Sequence, residues 1–424
     1  MITIRRRPRW VARRTRTATA AVATAIAVAT GVTGSVIGLA QADPDTAVDS
    51  ASPVDTTTSA PTTSTGTGTG TAAPASAAGG APGTVYANRQ IPGSRLYAGA
   101  GSGHQFTYWS VGADDQPHLS TGSLYLPTRP APRGGYPVVA LAHGSRGIAD
   151  DCAPSVHPTD ADLDQLRTWL GRGYAVVGTD YAGLGTSGTP QYFDLQATAR
   201  NIVDAVAAGH DISDQLSKKW AVVGEGQGAS AAVVLARGVS GARSADLDYR
   251  GSAATSIPAE FASVIGKLGP TTTITAPPVW VADALYTLAA IGEAHPEVGL
   301  NAYLTDTGRS WVTKAENLCI GDLTRAATGL DLGSLFSKPL SGNTDLTTLL
   351  TSASTLPTRG FTRPVLMSQT LQDSAVIVPL TLKYITDARA DRLVDGRTYL
   401  TPIESQAETM SDNDVRAFVA RVTR

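Results

Sequence analysis

The chain has little that ionises and less that coordinates. Of its 424 residues 17% are charged, the formal net charge is −2, and beyond the N-terminus no run of like charge occurs. The charge footprint that a nucleic-acid partner demands is therefore missing. Two cysteines and six scattered histidines do not make a zinc pattern. No aromatic residue stands between Trp10 and Tyr86, so that stretch cannot build a packed core. No histidine follows His295, which removes the commonest biological proton carrier from the C-terminal part of the chain.

What is present begins with a basic head. Met1 to Arg16 holds seven arginines and no acid, Thr17 to Ala40 is uncharged, and Ala40-Gln41-Ala42 offers a small-residue cleavage site. The pattern predicts a secretory signal over residues 1–42 and hence a secreted, extracellular or cell-envelope location. A retained membrane anchor is the other reading of this long apolar run. Residues 43–83 are almost wholly Thr, Ser, Ala, Gly and Pro with four aspartates; such a segment buries too little apolar surface to offset its conformational entropy and reads as a disordered linker. Export makes the cysteines interpretable. In an oxidising compartment Cys152 and Cys319 most simply pair, with two separately buried thiols as the alternative.

From residue 84 to 424 the composition is globular. Gln105 to Val111 and Leu119 to Leu126 alternate as antiparallel strands, and Pro137 to Ala142 is a continuous apolar run suited to a strand covered on both faces. A helix over Asp160 to Arg172, a strand over Tyr174 to Gly178, and an amphipathic helix from Phe193 that stops at Gly209 follow. Strands are expected again at Gly251 to Ile257, Arg363 to Ser368 and Arg397 to Leu400, with helices at Leu380 to Ala388 and Asn413 to Thr423. The alternation specifies an α/β fold with a mostly parallel, doubly wound sheet. Residues 260–356 break it: helical patterns at Pro278 to Gly292 and Ser310 to Ala326 lie among Gly/Ser/Thr loops. They read as a helical cap or lid, or as an ordinary packing layer.

The chemistry centres on Trp220 to Arg237, a buried strand, a tight turn and a helix whose first turn is built of small residues. This is the outline of a nucleophile elbow, Gly-x-Ser-x-Gly, written here as Gly224-Glu225-Gly226-Gln227-Gly228. The frame glycines are kept and the hydroxyl is missing.

With His143-Gly144-Ser145-Arg146-Gly147 after an apolar strand, Cys152-Ala153-Pro154-Ser155, Asp180-Tyr181-Ala182-Gly183-Leu184-Gly185, the elbow, and Asp373 in Gln372-Asp373-Ser374-Ala375 all in order, the chain resembles the secretory lipase family of the α/β-hydrolase superfamily. The resemblance implies an α/β-hydrolase fold and a secreted esterase or triacylglycerol lipase acting on a lipid or acyl ester, with no cofactor or metal. It places the nucleophile at Gly226, the triad acid at Asp373 and the histidine near Gln406. It places the oxyanion donors at the backbone N–H groups of Gln227 and of Ser145 or Arg146.

Glycine has no nucleophile, and Gln406 takes no proton near neutral pH. The expectation is a family member without serine-esterase turnover by the usual route that binds a lipid or acyl ligand, with association to the cell envelope. An active esterase with displaced groups is the alternative. Ser230 and Ser187 read as packing and turn residues, Glu225 beside Asp373 as a carboxylate pair of unfixed separation, and His143 as part of the loop after its strand.

Overall fold

Strand β4 (Tyr136–Ala142) is made of seven residues, four of them Val or Ala running without a polar break, and it lies at the centre of a nine-stranded sheet. The structure is a computed structural model that describes residues 80–424 apart from 191, 193, 239–245 and 275. These belong to one unit, Pro74–Arg424. The expected signal segment, and the linker up to residue 79, lie outside the described residues.

Three antiparallel strands, β1 (Val85–Gln90), β2 (Ala100–Val111) and β3 (Pro117–Pro127), form one flank. β5 (Ala175–Thr179) pairs antiparallel with β3 and parallel with β4. Beyond β4 come β6 (Leu216–Glu225), β7 (Asp248–Thr255), β8 (Val365–Thr370) and β9 (Val394–Tyr399), all parallel. The chain leaves β4 through α1 (Asp160–Gly171) to reach β5 on one side, then returns through α2 (Leu195–Ile212) to β6 on the other. The strand order therefore reverses around β4. In open α/β sheets the crevice at such a reversal, outside the strand C-termini, is where ligands bind.

Most elements stand where the hydrophobic periodicity puts them, α1 with a capping box between Thr159 and Asp162. Three expectations need correction. α2 does not stop at Gly209: it continues to Ile212, and Gly209 is an interior packing position where a Cβ would stand 3.3 Å from Val177. The single helix expected over Ser310 to Ala326 is two, α6 (Asp306–Asn317) and α7 (Ile320–Ala326). They part at Leu318-Cys319 because that dipeptide is drawn onto the loop after β4, where Cys319 is disulfide-bonded to Cys152 and the Ile320 N–H donates to the Arg146 carbonyl at 2.8 Å. The last helix, α10 (Glu404–Val422), begins nine residues before the expected Asn413.

The remaining helices are α3 (Gln227–Gly238) after β6, α4 (Phe261–Ile265), α5 (Pro278–Ala294) and α8 (Thr344–Ser354) between β7 and β8, and α9 (Val378–Ala388). α5 is apolar nearly all round, as a helix enclosed by protein must be. Trp280, Leu285, Tyr286 and Leu288 are buried in the same core as Val138, Val222 and Ile202 of the sheet layer. The helical segment between β7 and β8 thus shares the main hydrophobic core.

Candidate active site

The sharp turn from β6 into α3 is enforced by glycine. A Cβ on Gly224 would collide with the Gly228 carbonyl, and one on Gly228 with the carbonyls of Ala142 and His143, so strand, helix and β4 approach more closely than any side chain allows. Gly226, between them, has φ +54°, the left-handed region that costs a residue with a Cβ about 1 kcal/mol or more. Yet the space above it is open: a Cβ there would meet only the Gly144 Cα, at 3.6 Å. The frame glycines are steric necessities, whereas the apex glycine is not.

Gln227 opens α3, so its N–H has no carbonyl of an earlier helical turn to bond. Across the cleft Ser145 and Arg146 follow β4. Among the described residues none of these three N–H groups donates to a backbone carbonyl. The loop carrying them is braced on every side. The Tyr181 hydroxyl donates to the His143 carbonyl at 2.9 Å, and its ring stacks on the His143 imidazole with centroids 4.1 Å apart. Tyr181 holds φ +70° to do so. Asp180, buried beside it, accepts from the Thr121 hydroxyl at 2.7 Å and from the Ser155 N–H at 2.9 Å. The Arg146 guanidinium pairs with Asp162 at 2.5 Å.

His143 is a poor base. Burial, and next the Arg146 charge, push its imidazole down to about 4, and its Nδ1 is engaged with the Gly144 carbonyl at 2.6 Å. Ser230 is buried one helical turn into α3 with its hydroxyl unpartnered among the described residues, and Ser187 lies exposed in its loop. Both therefore read as structural positions.

Asp373, after β8, has both carboxylate oxygens engaged: Gln369 Nε2 donates to Oδ2 at 2.8 Å and the Ala375 N–H to Oδ1 at 2.8 Å. Among the described residues Gln406 makes no hydrogen bond to it. The early start of α10 puts Gln406 in the first helical turn, exposed, accepting from the Thr401 hydroxyl at 2.9 Å. The link between the two loops is instead Gln372 Nε2 donating to the Thr401 carbonyl at 2.9 Å.

Glu225, just before the apex, lines a cavity of about 70 Å³ with His143, Gly144, Arg146, Thr255 and Asp412. Solvent reaches it, yet protein surrounds it closely enough that desolvation raises its carboxyl; the Arg146 charge opposes this and the negative charge of Asp373 adds to it. The carboxylate pairing suspected from sequence is thus electrostatic, without a hydrogen bond between the two.

Two residues of the site were not marked by sequence. Asp283, in the middle of α5, is buried and accepts from the Tyr192 hydroxyl at 2.9 Å. Desolvation raises the Asp283 carboxyl to about 7 against the lowering effect of that hydrogen bond. The available signal was an acid set among Val, Ala, Leu and Trp, which a buried helix tolerates only with partners.

No protein-family model and no curated protein matches the sequence. Solved structures do match. The closed state of lipase A from Candida antarctica superposes with a TM-score of 0.65 at 17% identity, over 81% of this chain and 82% of that one. The ligand-bound rice cell wall degrading esterase LipA from Xanthomonas oryzae superposes with a TM-score of 0.65 at 20% identity, over 81% of this chain and 100% of that one. The likeness, together with the sheet order, establishes the α/β-hydrolase fold of lipases and esterases for this chain.

Proposed function

We propose that this chain is an exported member of the secretory lipase family that binds a lipid or acyl ester in the crevice above Gly226 and does not hydrolyse it through an elbow nucleophile. The observation that carries this reading is the apex itself: a left-handed glycine with open space above it, held in a turn whose other glycines are sterically required. Acyl transfer needs a nucleophile and a base in contact. Here the apex has no side chain, Asp373 is bonded to Gln369 and Ala375, and no histidine follows it in the chain. The frame glycines, the braced loop after β4, and the N–H groups of Ser145, Arg146 and Gln227, which among the described residues donate to no backbone carbonyl, support use of the crevice for a carbonyl or acyl group. The basic and apolar N-terminal segment and the Cys152–Cys319 disulfide support export to an oxidising compartment and a place at the cell envelope.

The test uses the mature protein with a fluorescent fatty acid and a long-chain p-nitrophenyl ester. Saturable displacement of the fatty acid by the ester, with no hydrolysis that depends on Asp373, is expected. Ester turnover abolished by Asp373→Ala would overturn the reading.

A further inference from the structure

We propose that the groove between α4, the end of α8 and α9 is a binding site for a neutral sugar, one hexopyranose unit whose hydroxyls donate to acceptors on the rim while its ring lies over an apolar floor. No residue of the elbow or of the loop after β4 lines this groove, so the site is separate from the crevice above Gly226 and does not depend on what that crevice binds.

The groove is a cavity of about 200 Å³, against about 20 and 70 Å³ for the cavities that His143 lines. At ~15 Å³ for each water-sized group it has room for roughly a dozen heavy atoms, the size of one hexose ring with its hydroxyls. Phe261, Leu356, Leu380 and Tyr384 give it an apolar floor; the two rings are buried and the two leucines partly exposed. On the rim stands Glu260, the residue before α4, which is exposed and holds φ +59° and ψ +17° with no side-chain hydrogen bond to the helix. A Cβ disfavours that left-handed region, and residues other than glycine held in it cluster at ligand sites.

The hydrogen-bonding capacity left on the lining selects the ligand. The hydroxyls of Thr351, Ser354 and Thr355 each donate to the carbonyl four residues earlier, at 2.7, 2.6 and 2.5 Å, and the Tyr384 hydroxyl donates to the Pro357 carbonyl at 2.6 Å. With its one proton committed, each of these oxygens can only accept. The carboxylates of Glu260 and Asp387, on the same lining, also accept. A ligand must therefore bring donors. An ammonium brings them, but Lys383 already fills that role, with Nζ on Asp387 Oδ2 at 2.5 Å, and a second cation would have to displace it. A phosphate or carboxylate brings acceptors alone and meets two acids. A sugar brings several O–H donors on a neutral frame, offers oxygens to the remaining Lys383 N–H groups, and packs a C–H face on Leu356 and Leu380 without burying a charge.

The experiment is calorimetric titration of the intact protein with the methyl glycosides of glucose, galactose and mannose, both anomers of each, alongside saturation-transfer NMR. At least one should bind with a dissociation constant on the order of 1 mM, ordinary for a single small neutral ring. Glu260→Gly removes the carboxylate and the left-handed strain together, so it should weaken binding at least tenfold while the melting temperature holds or rises. Thr355→Val keeps the side-chain shape and removes an acceptor; it should weaken binding about threefold, and its melting temperature separates lost binding from lost fold. The bound sugar should leave the fluorescent fatty acid in place. No saturation with any of the glycosides, undiminished binding by Glu260→Gly, or displacement of the fatty acid by the sugar would overturn the inference. Binding of putrescine in place of every sugar would make this a cation site and overturn it as well. If the fatty acid itself does not bind, the reading of the crevice falls and the glycoside titrations still decide this one.

Discussion

Gln369 donates through Nε2 to Asp373 Oδ2 at 2.8 Å, and this amide occupies the carboxylate that a triad histidine would need. The carboxylate expected as a triad acid is therefore satisfied from its own strand, with the Ala375 N–H on the other oxygen. A hydroxyl placed at Gly226 should not by itself confer ester hydrolysis. Gly226→Ser has room for its Cβ, since only Gly144 lies near, and its cost is the left-handed backbone, about 1 kcal/mol. We expect a folded variant whose p-nitrophenyl ester turnover equals that of the wild type. Gly226→Ser with Gln406→His should behave the same way, because position 406 is exposed at the start of α10 and bonded to Thr401. A rate increase of tenfold or more in the double variant would show that the segment can swing in.

The neighbouring glycines should respond oppositely. Gly228→Ala forces a methyl into the Ala142 and His143 carbonyls, and Gly224→Ala into the Gly228 carbonyl. Backbone atoms on both sides cannot yield as a flexible side chain does. Each variant should lose 3 kcal/mol or more in urea unfolding, on the order of the largest overpacking penalties. Equal midpoints for Gly226→Ala and Gly228→Ala would contradict the steric account.

The contrast between these glycines marks what sequence could convey. Continuous apolar runs such as Pro137 to Ala142 made the parallel strands legible, because a strand covered on both faces has few other ways to bury such residues. Features decided by contacts distant in sequence were not legible. The break between α6 and α7 exists because Cys319 must reach Cys152 across 167 residues, and no local pattern announces it. Gly209 has the look of a helix stop but is an interior contact against Val177. The first turns of α10 are polar and follow Thr401-Pro402, so periodicity became visible only near Asn413. The site divided likewise: the elbow and its loop carry short motifs, whereas Asp283 acquires meaning only when α5 meets Tyr192.

Asp283 also makes a stability prediction with a definite sign. Its carboxyl is raised by burial to about 7 from an ordinary value of 3.8, so between these pH values the folded state holds a proton that the unfolded chain has released. Stability then falls as pH rises through this window, by about 1.4 kcal/mol per unit at most, and is level above it. Asp204, raised by burial to about 6, adds in the same direction. His143, lowered to about 4 from 6.5, acts oppositely: the unfolded chain gains the proton first, so its contribution grows with pH up to its ordinary value. The wild-type curve is a difference of these effects, and Asp283→Asn isolates one of them. Urea unfolding at pH 5 and pH 8 should show the variant gaining stability relative to the wild type as pH rises. A constant difference between the two proteins would mean that Asp283 is ionised throughout.

The disulfide offers the last test, because it joins the loop that carries Ser145 to the helical segment that carries Asp283. Cys152 lies shortly after that loop and Cys319 between α6 and α7; the Ile320 N–H bonds the Arg146 carbonyl at 2.8 Å, and the Tyr286 hydroxyl bonds the Leu318 carbonyl at 2.7 Å. Closing so long a loop stabilises the fold by roughly 3–5 kcal/mol through the unfolded state. The crosslink has a local role as well, since it ties the loop after β4 to the segment between α6 and α7. Cys152→Ser with Cys319→Ser should lower the unfolding free energy by that amount. It should also accelerate amide exchange at Ile320 far more than at the β4 amides of Val138 and Val139, which are buried in the sheet. Uniform acceleration across both sites would mean that the crosslink acts on global stability alone, and that α5 and the loop after β4 keep their contact without it.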